Sequence, residues 1–157
     1  MSRYEVKWLD ENAVIIKGTI DENFVFDDEV AKFKDSVTID LQGVDRINSC
    51  GVREWVKAIM KTEAHLVFKN CSSVIVSQFS MIPEFLGKNG KVESFETQFI
   101  CEHCGHEEAK VLQVGKDIQP GQELYEDGPE VTCPECGETM ECDHNPELYF
   151  SFLSDAS

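Results

Sequence analysis

Four of the seven cysteines in this 157-residue chain lie in two short units of the same form. The units are Cys101-Glu102-His103-Cys104-Gly105 and Cys133-Pro134-Glu135-Cys136-Gly137. A Cys-x-x-Cys turn lets two sulfurs bind one cation at about 2.3 Å, and the following glycine can adopt the positive φ that such a turn needs. Two turns separated by 28 residues complete a tetrahedral shell. The spacing therefore predicts one zinc ion bound by Cys101, Cys104, Cys133 and Cys136.

This predicted zinc site has a filled ligand shell. Since four protein ligands leave no open position for water, we expect a structural ion rather than a catalytic one. Two unrelated thiol pairs, a disulfide-exchange motif, or iron in place of zinc are the alternatives. The nearby His103, His106 and His144 are interpreted as surface histidines, and Cys71 and Cys142 as small buried residues.

The net charge of −16 is distributed unevenly along the chain. Residues 1–96 carry a net charge of −4, whereas residues 97–157 hold 14 acidic and only 2 basic residues. A phosphate backbone would be repelled by such a surface, so nucleic acid is not expected as a partner. No apolar run approaches the ~20 residues of a membrane span, and the N-terminus lacks the apolar core of a signal peptide. An odd cysteine count without an export signal favours a reducing cytoplasm.

Alternating strand and helix patterns occupy residues 1–96. Strands are predicted at Tyr4 to Trp8, Ala13 to Ile16 (closed by Gly18), Val37 to Leu41, His65 to Phe68, and Val92 to Ile100. Helices are predicted near Asp27, from Asn48-Ser49 onward, and from Val74 to Leu86 with an interruption near Pro83. This order predicts an α/β domain, a mixed sheet with helices packed on it.

A small β ribbon is predicted for residues 97–157, as an extension of the first domain. Ala109 to Val114 and Glu130 to Thr132 are expected to pair as strands, and Leu148, Phe150 and Phe152 to form an apolar face. Because the 61 residues after Glu96 are few and acidic, we expect metal binding to supply much of their folding free energy.

A polar cluster, Asn48-Ser49-Cys50-Gly51, opens the clearest amphipathic helix of the chain. Asn48 or Ser49 is suited to cap its N-terminus, where free amides and a partial positive charge are exposed. A phosphate on Ser49 would be stabilised there and would add nearly two negative charges. Arg53 and Lys57 lie on the exposed face and could contact an acidic partner.

The segment from Asp40-Leu41 to Asn48-Ser49-Cys50-Gly51-Val52 resembles the STAS domain family, the anti-anti-sigma factors and their relatives. That family has a strand ending in Asp-Leu or Asp-Phe, then Asp-Ser-Ser/Thr-Gly and an aliphatic residue at the start of a helix. The resemblance covers about the first 100 residues, and none of the ribbon. Two positions differ, since Asn48 replaces the family's Asp and Cys50 replaces its second Ser or Thr.

The resemblance implies a non-catalytic regulatory module that binds a protein partner, such as an anti-sigma factor that is also a serine kinase. Ser49 maps to the residue that this kinase phosphorylates, and Asn48, Cys50, Arg53 and Lys57 become candidate partner-binding residues. The alternatives are an adaptor or scaffold without a phosphorylation switch, and an enzyme or redox protein that uses Cys50. A thiol in the first turn of a helix can have a lowered pKa, which is the basis of the redox alternative.

Overall fold

The computed structural model describes residues 4–121 and 129–153 and contains two β-sheets with four short α-helices. The N-terminal sheet has the strand order β1-β2-β3-β4-β5. Its strands are β1 (Tyr4–Asp10), β2 (Ala13–Ile20), β3 (Ser36–Ile47), β4 (His65–Lys69) and β5 (Gly90–Val92). β1 and β2 are antiparallel, and the other three pairs are parallel. The mixed α/β sheet predicted from the sequence is confirmed.

β1 and β2 are joined in a hairpin by the polar run Asp10-Glu11-Asn12. The Asp10 carboxylate accepts a hydrogen bond from the backbone amide of Asn12 at 2.7 Å, which stabilises a two-residue turn. The sequence had suggested that β2 ends at Gly18, but the strand does not end there. The strand continues to Ile20, and its pairing with β3 shifts register beside Gly18, which has φ 94°. A glycine tolerates this irregularity because it has no Cβ.

The helices are α1 (Asp27–Val30), α2 (Ser49–Ile59), α3 (Ser73–Met81) and α4 (Pro146–Tyr149). The first three begin close to their predicted positions, and α3 is followed by a 3₁₀ turn at Pro83–Leu86. The apolar stripe of α2 buries Trp55 and Ile59 completely. Trp55 stacks on Phe26 and Phe85 with ring centroids 5.3 and 5.1 Å apart.

The strand predicted from Val92 to Ile100 is in fact two strands in different sheets. The chain leaves β5 at Glu93, whose amide donates to the Phe68 carbonyl at 2.7 Å, and Ser94–Ile100 then forms β6. β6 is joined by β7 (Glu107–Gln113), β8 (Val131–Thr132) and β9 (Thr139–Cys142) in the C-terminal sheet. β6 therefore begins before the proposed boundary between residues 96 and 97.

The C-terminal sheet has the order β7-β6-β9-β8. The predicted pairing of Ala109 to Val114 with Glu130 to Thr132 is wrong, because β7 and β8 lie at opposite edges of the sheet. β7 pairs with β6, and β8 pairs with β9, in both cases antiparallel. The predicted extension 97–157 also includes residues 122–128 and 154–157, which lie outside the described residues.

One hydrophobic core joins the two sheets. Phe79 of α3 and Phe95 of β6 both contact Phe152, with ring centroids 5.6 and 5.2 Å apart. Phe150 and Phe152 are buried, as expected, but Leu148 is 67% exposed and does not contribute to the core. The reason is that residues 146–153 form α4 and a 3₁₀ turn rather than a strand, so alternate residues do not share a face.

Within residues 4–121 and 129–153, none of the helices has both the length and the apolar character needed to cross a membrane.

Candidate functional site

The two Cys-x-x-Cys turns have the same backbone geometry. In the first, the Cys101 amide donates to the His106 carbonyl at 2.8 Å and the Gly105 amide donates to the Cys101 carbonyl at 2.7 Å. In the second, the Cys133 amide donates to the Glu138 carbonyl at 2.7 Å and the Gly137 amide donates to the Cys133 carbonyl at 3.0 Å. Gly105 and Gly137 have φ of 81° and 82°, which explains the glycine after each second cysteine.

The turns bring the four predicted cysteines together into one group, here called the cysteine cluster (Cys101, Cys104, Cys133 and Cys136). Their sulfurs all lie within 4.8 Å of one another. The Cys101 and Cys136 sulfurs are 3.5 Å apart, and those of Cys104 and Cys133 are 3.6 Å apart. A tetrahedral ion with metal–sulfur bonds of about 2.3 Å requires sulfurs nearly this far apart. The cluster therefore fits a metal ion with four thiolate ligands.

The strand ends of the C-terminal sheet position this cluster. Cys101 directly follows β6, and Cys133 directly follows β8. Both are buried, whereas Cys104 and Cys136, at the far end of each turn, are exposed. Each turn therefore supplies one ligand from beneath the ion and one from the solvent side.

The thiols of the cluster differ in pKa because their hydrogen bonds differ. The backbone amide of Cys104 lowers the pKa of the Cys101 thiol to about 7, with further help from neighbouring thiols. At Cys104, the His106 amide lowers the pKa, but desolvation and the Cys133 thiol outweigh it and the pKa is raised. The lowered pKa favours the thiolate form of Cys101, which is the form that binds a cation.

The other cysteines and histidines singled out in the sequence lie outside the cluster. Cys71 is fully buried, as predicted, and Cys142 is partly buried. His103 is exposed and His106 and His144 are partly exposed, and none of the three belongs to the cluster, in agreement with the expectation. His144 has an evident structural reason for its burial, since it stacks on Tyr149 at 3.8 Å and accepts a hydrogen bond from the Gln98 amide at 3.3 Å.

The N-terminus of α2 is the second candidate site, and Asn48 caps it. Its side-chain oxygen accepts a hydrogen bond from the Gly51 amide at 2.8 Å, and its side-chain nitrogen donates to the Glu22 carboxylate at 3.2 Å. The cap itself is predictable from the sequence. Glu22 was missed, because it lies 26 residues earlier and no local pattern links it to Asn48.

Gly51 has a steric role that the sequence motif did not reveal. A Cβ at this position would lie 2.0 Å from the backbone oxygen of Ile20, at the end of β2. The Asn48 amide also donates to the same oxygen, at 3.2 Å. The first turn of α2 therefore rests directly against the end of β2, and only glycine allows this approach.

The remaining candidate residues are accessible on α2. Ser49, Cys50, Arg53 and Lys57 are all exposed. Their spacing of three and four residues places Cys50, Arg53 and Lys57 on one face of the helix. Ser49 lies at the N-terminal edge of that face. The structure thus brings all five candidates of this region to one surface, the α2 surface (Asn48, Ser49, Cys50, Arg53 and Lys57).

Comparison of the chain with protein-family models, with curated protein sequences and with solved structures gives no significant match.

Proposed function

We propose that the chain is a non-catalytic regulatory module that binds a protein partner through the α2 surface, in the manner of the STAS domains it resembles. The observation that carries the proposal is the geometry of the α2 N-terminus. Asn48 caps the helix while Ser49 and Cys50 remain exposed beside it. The order of the N-terminal sheet is compatible with such a domain.

Phosphorylation of Ser49 is the proposed switch. Amides of the first helical turn and the partial positive charge of the helix would stabilise a phosphate at this position. The modification adds nearly two negative charges beside Arg53 and Lys57, which would otherwise contact an acidic partner. The Glu22 carboxylate, which accepts a hydrogen bond from the Asn48 side chain, adds to the negative charge of the phosphate, so the phosphorylated surface would repel an acidic partner.

A kinase assay with intact-mass spectrometry tests this switch. Serine kinases encoded in the same genome are incubated with the full chain and ATP. We expect one added phosphate that is lost in Ser49→Ala and retained in Ser77→Ala, a matched control because Ser77 is exposed on α3. Absence of the added mass with every kinase, or its persistence in Ser49→Ala, would reject the switch and leave the adaptor without one.

Partner binding is tested separately with charge reversals on α2. Arg53→Glu with Lys57→Glu should weaken binding of a candidate anti-sigma factor by about tenfold or more if both cations contact it. Lys7→Glu with Lys91→Glu, at exposed positions of β1 and β5, is the control with the same change in net charge. Equal losses in both variants would mean that only the overall charge matters.

For the cysteine cluster we propose zinc with a structural role. Four thiolates at tetrahedral spacing suit this ion, and a shell of four protein ligands leaves no position for a substrate. The support is the sulfur separations and the two matched turns. Elemental analysis of the purified chain tests it, with about one zinc per chain expected and iron as the outcome that would reject the assignment.

A further inference from the structure

An open groove lies between α3 and α4, on elements that do not belong to the α2 surface. It has a volume of about 470 Å³. We call it the α3–α4 groove, and its lining residues are Ser77, Ser80, Met81, His144, Asn145, Leu148, Tyr149 and Ser151. The Tyr149 ring, which is held by a 2.6 Å hydrogen bond from its hydroxyl to the Glu96 carbonyl, contributes to a fixed lining.

Two large apolar side chains of this groove are exposed to solvent. Met81, the last residue of α3, and Leu148, in α4, are each 67% exposed. They are the most exposed of the large hydrophobic residues in the described part of the chain. Apolar side chains that share one groove with a polar rim are typical of a protein-binding site.

The segments that line the α3–α4 groove carry charge of a single sign. Neither residues 70–87, which include α3, nor residues 117–157, which include α4, contain a lysine or an arginine. Asp143 precedes the groove residue His144, Glu147 lies next to Leu148, and Glu84 follows α3. A ligand for this groove therefore needs an apolar anchor and positive charge around it.

We propose that the α3–α4 groove binds a positively charged amphipathic segment of another protein, which inserts an apolar side chain between Met81 and Leu148. A second copy of the chain is disfavoured as the occupant, because its net charge is −16. Residues 154–157, Ser-Asp-Ala-Ser, have no large apolar side chain and carry a negative charge. Complementarity thus favours a basic partner segment docked by apolar contacts at spaced positions.

A second groove provides an internal control. It has the same volume, about 470 Å³, and is lined by Trp8, Leu9, Asp10, Glu11, Lys32 and Lys34. Leu9 is 56% exposed, but both signs of charge surround it. A basic amphipathic segment should therefore prefer the α3–α4 groove.

Selection from a random linear peptide library against the immobilised full chain tests the proposal. Counter-selection against a Met81→Ser/Leu148→Ser double variant removes the peptides that bind elsewhere on the chain. Both positions are already exposed, so the variant is expected to keep its fold. We expect the enriched peptides to carry net positive charge and apolar residues three or four positions apart. By fluorescence anisotropy, the strongest peptide should bind the double variant at least about tenfold more weakly than the unmodified chain.

The control variants decide the outcome. Leu9→Ser/Val25→Ser removes two exposed apolar residues elsewhere and should leave the affinity for the peptide unchanged. Glu147→Gln should weaken peptide binding, and by a larger factor at low salt than at high salt. No enrichment, enrichment of acidic peptides, or equal losses in the two double variants would overturn the proposal. A concentration-dependent increase in molecular mass that Leu148→Ser abolishes would assign the groove to a second copy and also overturn it. Loss of the Ser49 switch would leave these results unaffected, because the groove lies on α3 and α4.

Discussion

The two sheets of this chain differ in what holds their strands in place. In the N-terminal sheet, β2, β3 and β4 contribute fully buried aliphatic and aromatic residues to a core that α2 covers. In the C-terminal sheet, β7 and β8 lie at the edges and bury little apart from Leu112. There the cysteine cluster joins the end of β6 to the end of β8.

From this difference we expect metal ligands in the C-terminal sheet to take the place of the apolar area that stabilises the N-terminal sheet. Burial of apolar surface stabilises a sheet roughly in proportion to its area, so a long, covered sheet needs no further support. A small, acidic sheet with exposed edges lacks that area, and a cation bound by the cysteine cluster would both neutralise thiolate charge and fix the turns. The four predictions that follow test this comparison, from the largest expected effect to the smallest.

Removal of a cluster ligand should affect the C-terminal sheet most strongly. Binding of a structural zinc ion supplies roughly 10–16 kcal/mol in small zinc modules. Cys133→Ala should abolish stoichiometric metal binding and remove hydrogen-exchange protection from β6 to β9, because the two turns lose their common ion. Protection of β2 to β4 should persist. Hydrogen exchange with mass spectrometry and elemental analysis measure both effects.

Cys142→Ala is the matched control for the metal prediction, since this partly buried thiol lies in the same sheet but outside the cluster. It should retain the metal. Equal loss of protection in both sheets of Cys133→Ala would show that they unfold as one unit through their shared core, and the comparison would fail.

Truncation of the Trp55 ring should have the complementary effect on the N-terminal sheet. The ring is completely buried among Phe24, Phe26 and Phe85, and its nitrogen donates to the Phe85 carbonyl at 2.8 Å. We expect Trp55→Ala to cost about 3–5 kcal/mol in the free energy of unfolding, measured by urea denaturation. Trp8→Ala, at a half-buried position of an edge strand, should cost less. A cost for Trp8→Ala that equals that for Trp55→Ala would contradict the assignment of the core.

The features that could be predicted from the sequence are those that leave a local pattern in it. β2, β3 and α2 were predictable because their apolar residues follow the period of a strand or a helix, and Asn48 is a recognisable cap. The two cysteine turns were predictable because a metal site imposes a fixed spacing on its ligands. In each case the pattern is local, and the structure retains it.

Features that depend on distant partners were not predictable in this way. The residues from Val92 to Ile100 were interpreted as one strand, although the buried Val92 is out of phase with the buried Phe95 and Phe99. The chain changes sheets at Glu93, whose amide donates to the distant Phe68 carbonyl. The pairing of β7 with β6 rather than with β8 likewise depends on which strand occupies the centre of the sheet. α4 was missed despite a local signal, Asn145 followed by Pro146, in which the Asn145 side chain accepts from the Glu147 amide at 3.1 Å.

Gly51 tests the contact between α2 and the N-terminal sheet. In Gly51→Ala the new methyl group would meet the Ile20 backbone at 2.0 Å, and backbone cannot move aside as a flexible side chain can. We expect a loss of about 1–3 kcal/mol in the free energy of unfolding. Gly43→Ala is the control, because its close contacts would be with the Lys17 side chain, at 2.6 Å from Cγ and 3.1 Å from Cβ, and the nearest backbone atom is the Lys17 Cα at 3.4 Å, so we expect a smaller loss. A loss in Gly43→Ala as large as that in Gly51→Ala would argue against a steric role for Gly51.

Two histidines with opposite pKa shifts allow the finest test within the C-terminal sheet. Burial lowers the pKa of His144 below its usual 6.5, and its ring nitrogen must be unprotonated to accept the Gln98 amide. The hydrogen bond to Glu108, at 3.2 Å, raises the pKa of His106 above 6.5. His144 therefore stabilises the folded chain when it is neutral, and His106 stabilises it when it is charged.

The sign of each pH dependence follows from these shifts. Stability contributed by His144 is fully present above pH 6.5 and is lost as the pH falls through its lower folded pKa. Stability contributed by His106 is fully present below pH 6.5 and is lost as the pH rises through its higher folded pKa. The free-energy difference between the unmodified chain and His144→Asn should therefore shrink on acidification, whereas the difference for His106→Asn should grow. Urea denaturation across this pH range measures both free-energy differences. Each variant is compared with the unmodified chain at the same pH, so an effect of metal loss that is common to the two chains cancels. Changes of the same sign in both variants would show that the metal ligands, rather than these two imidazoles, set the pH dependence of the C-terminal sheet.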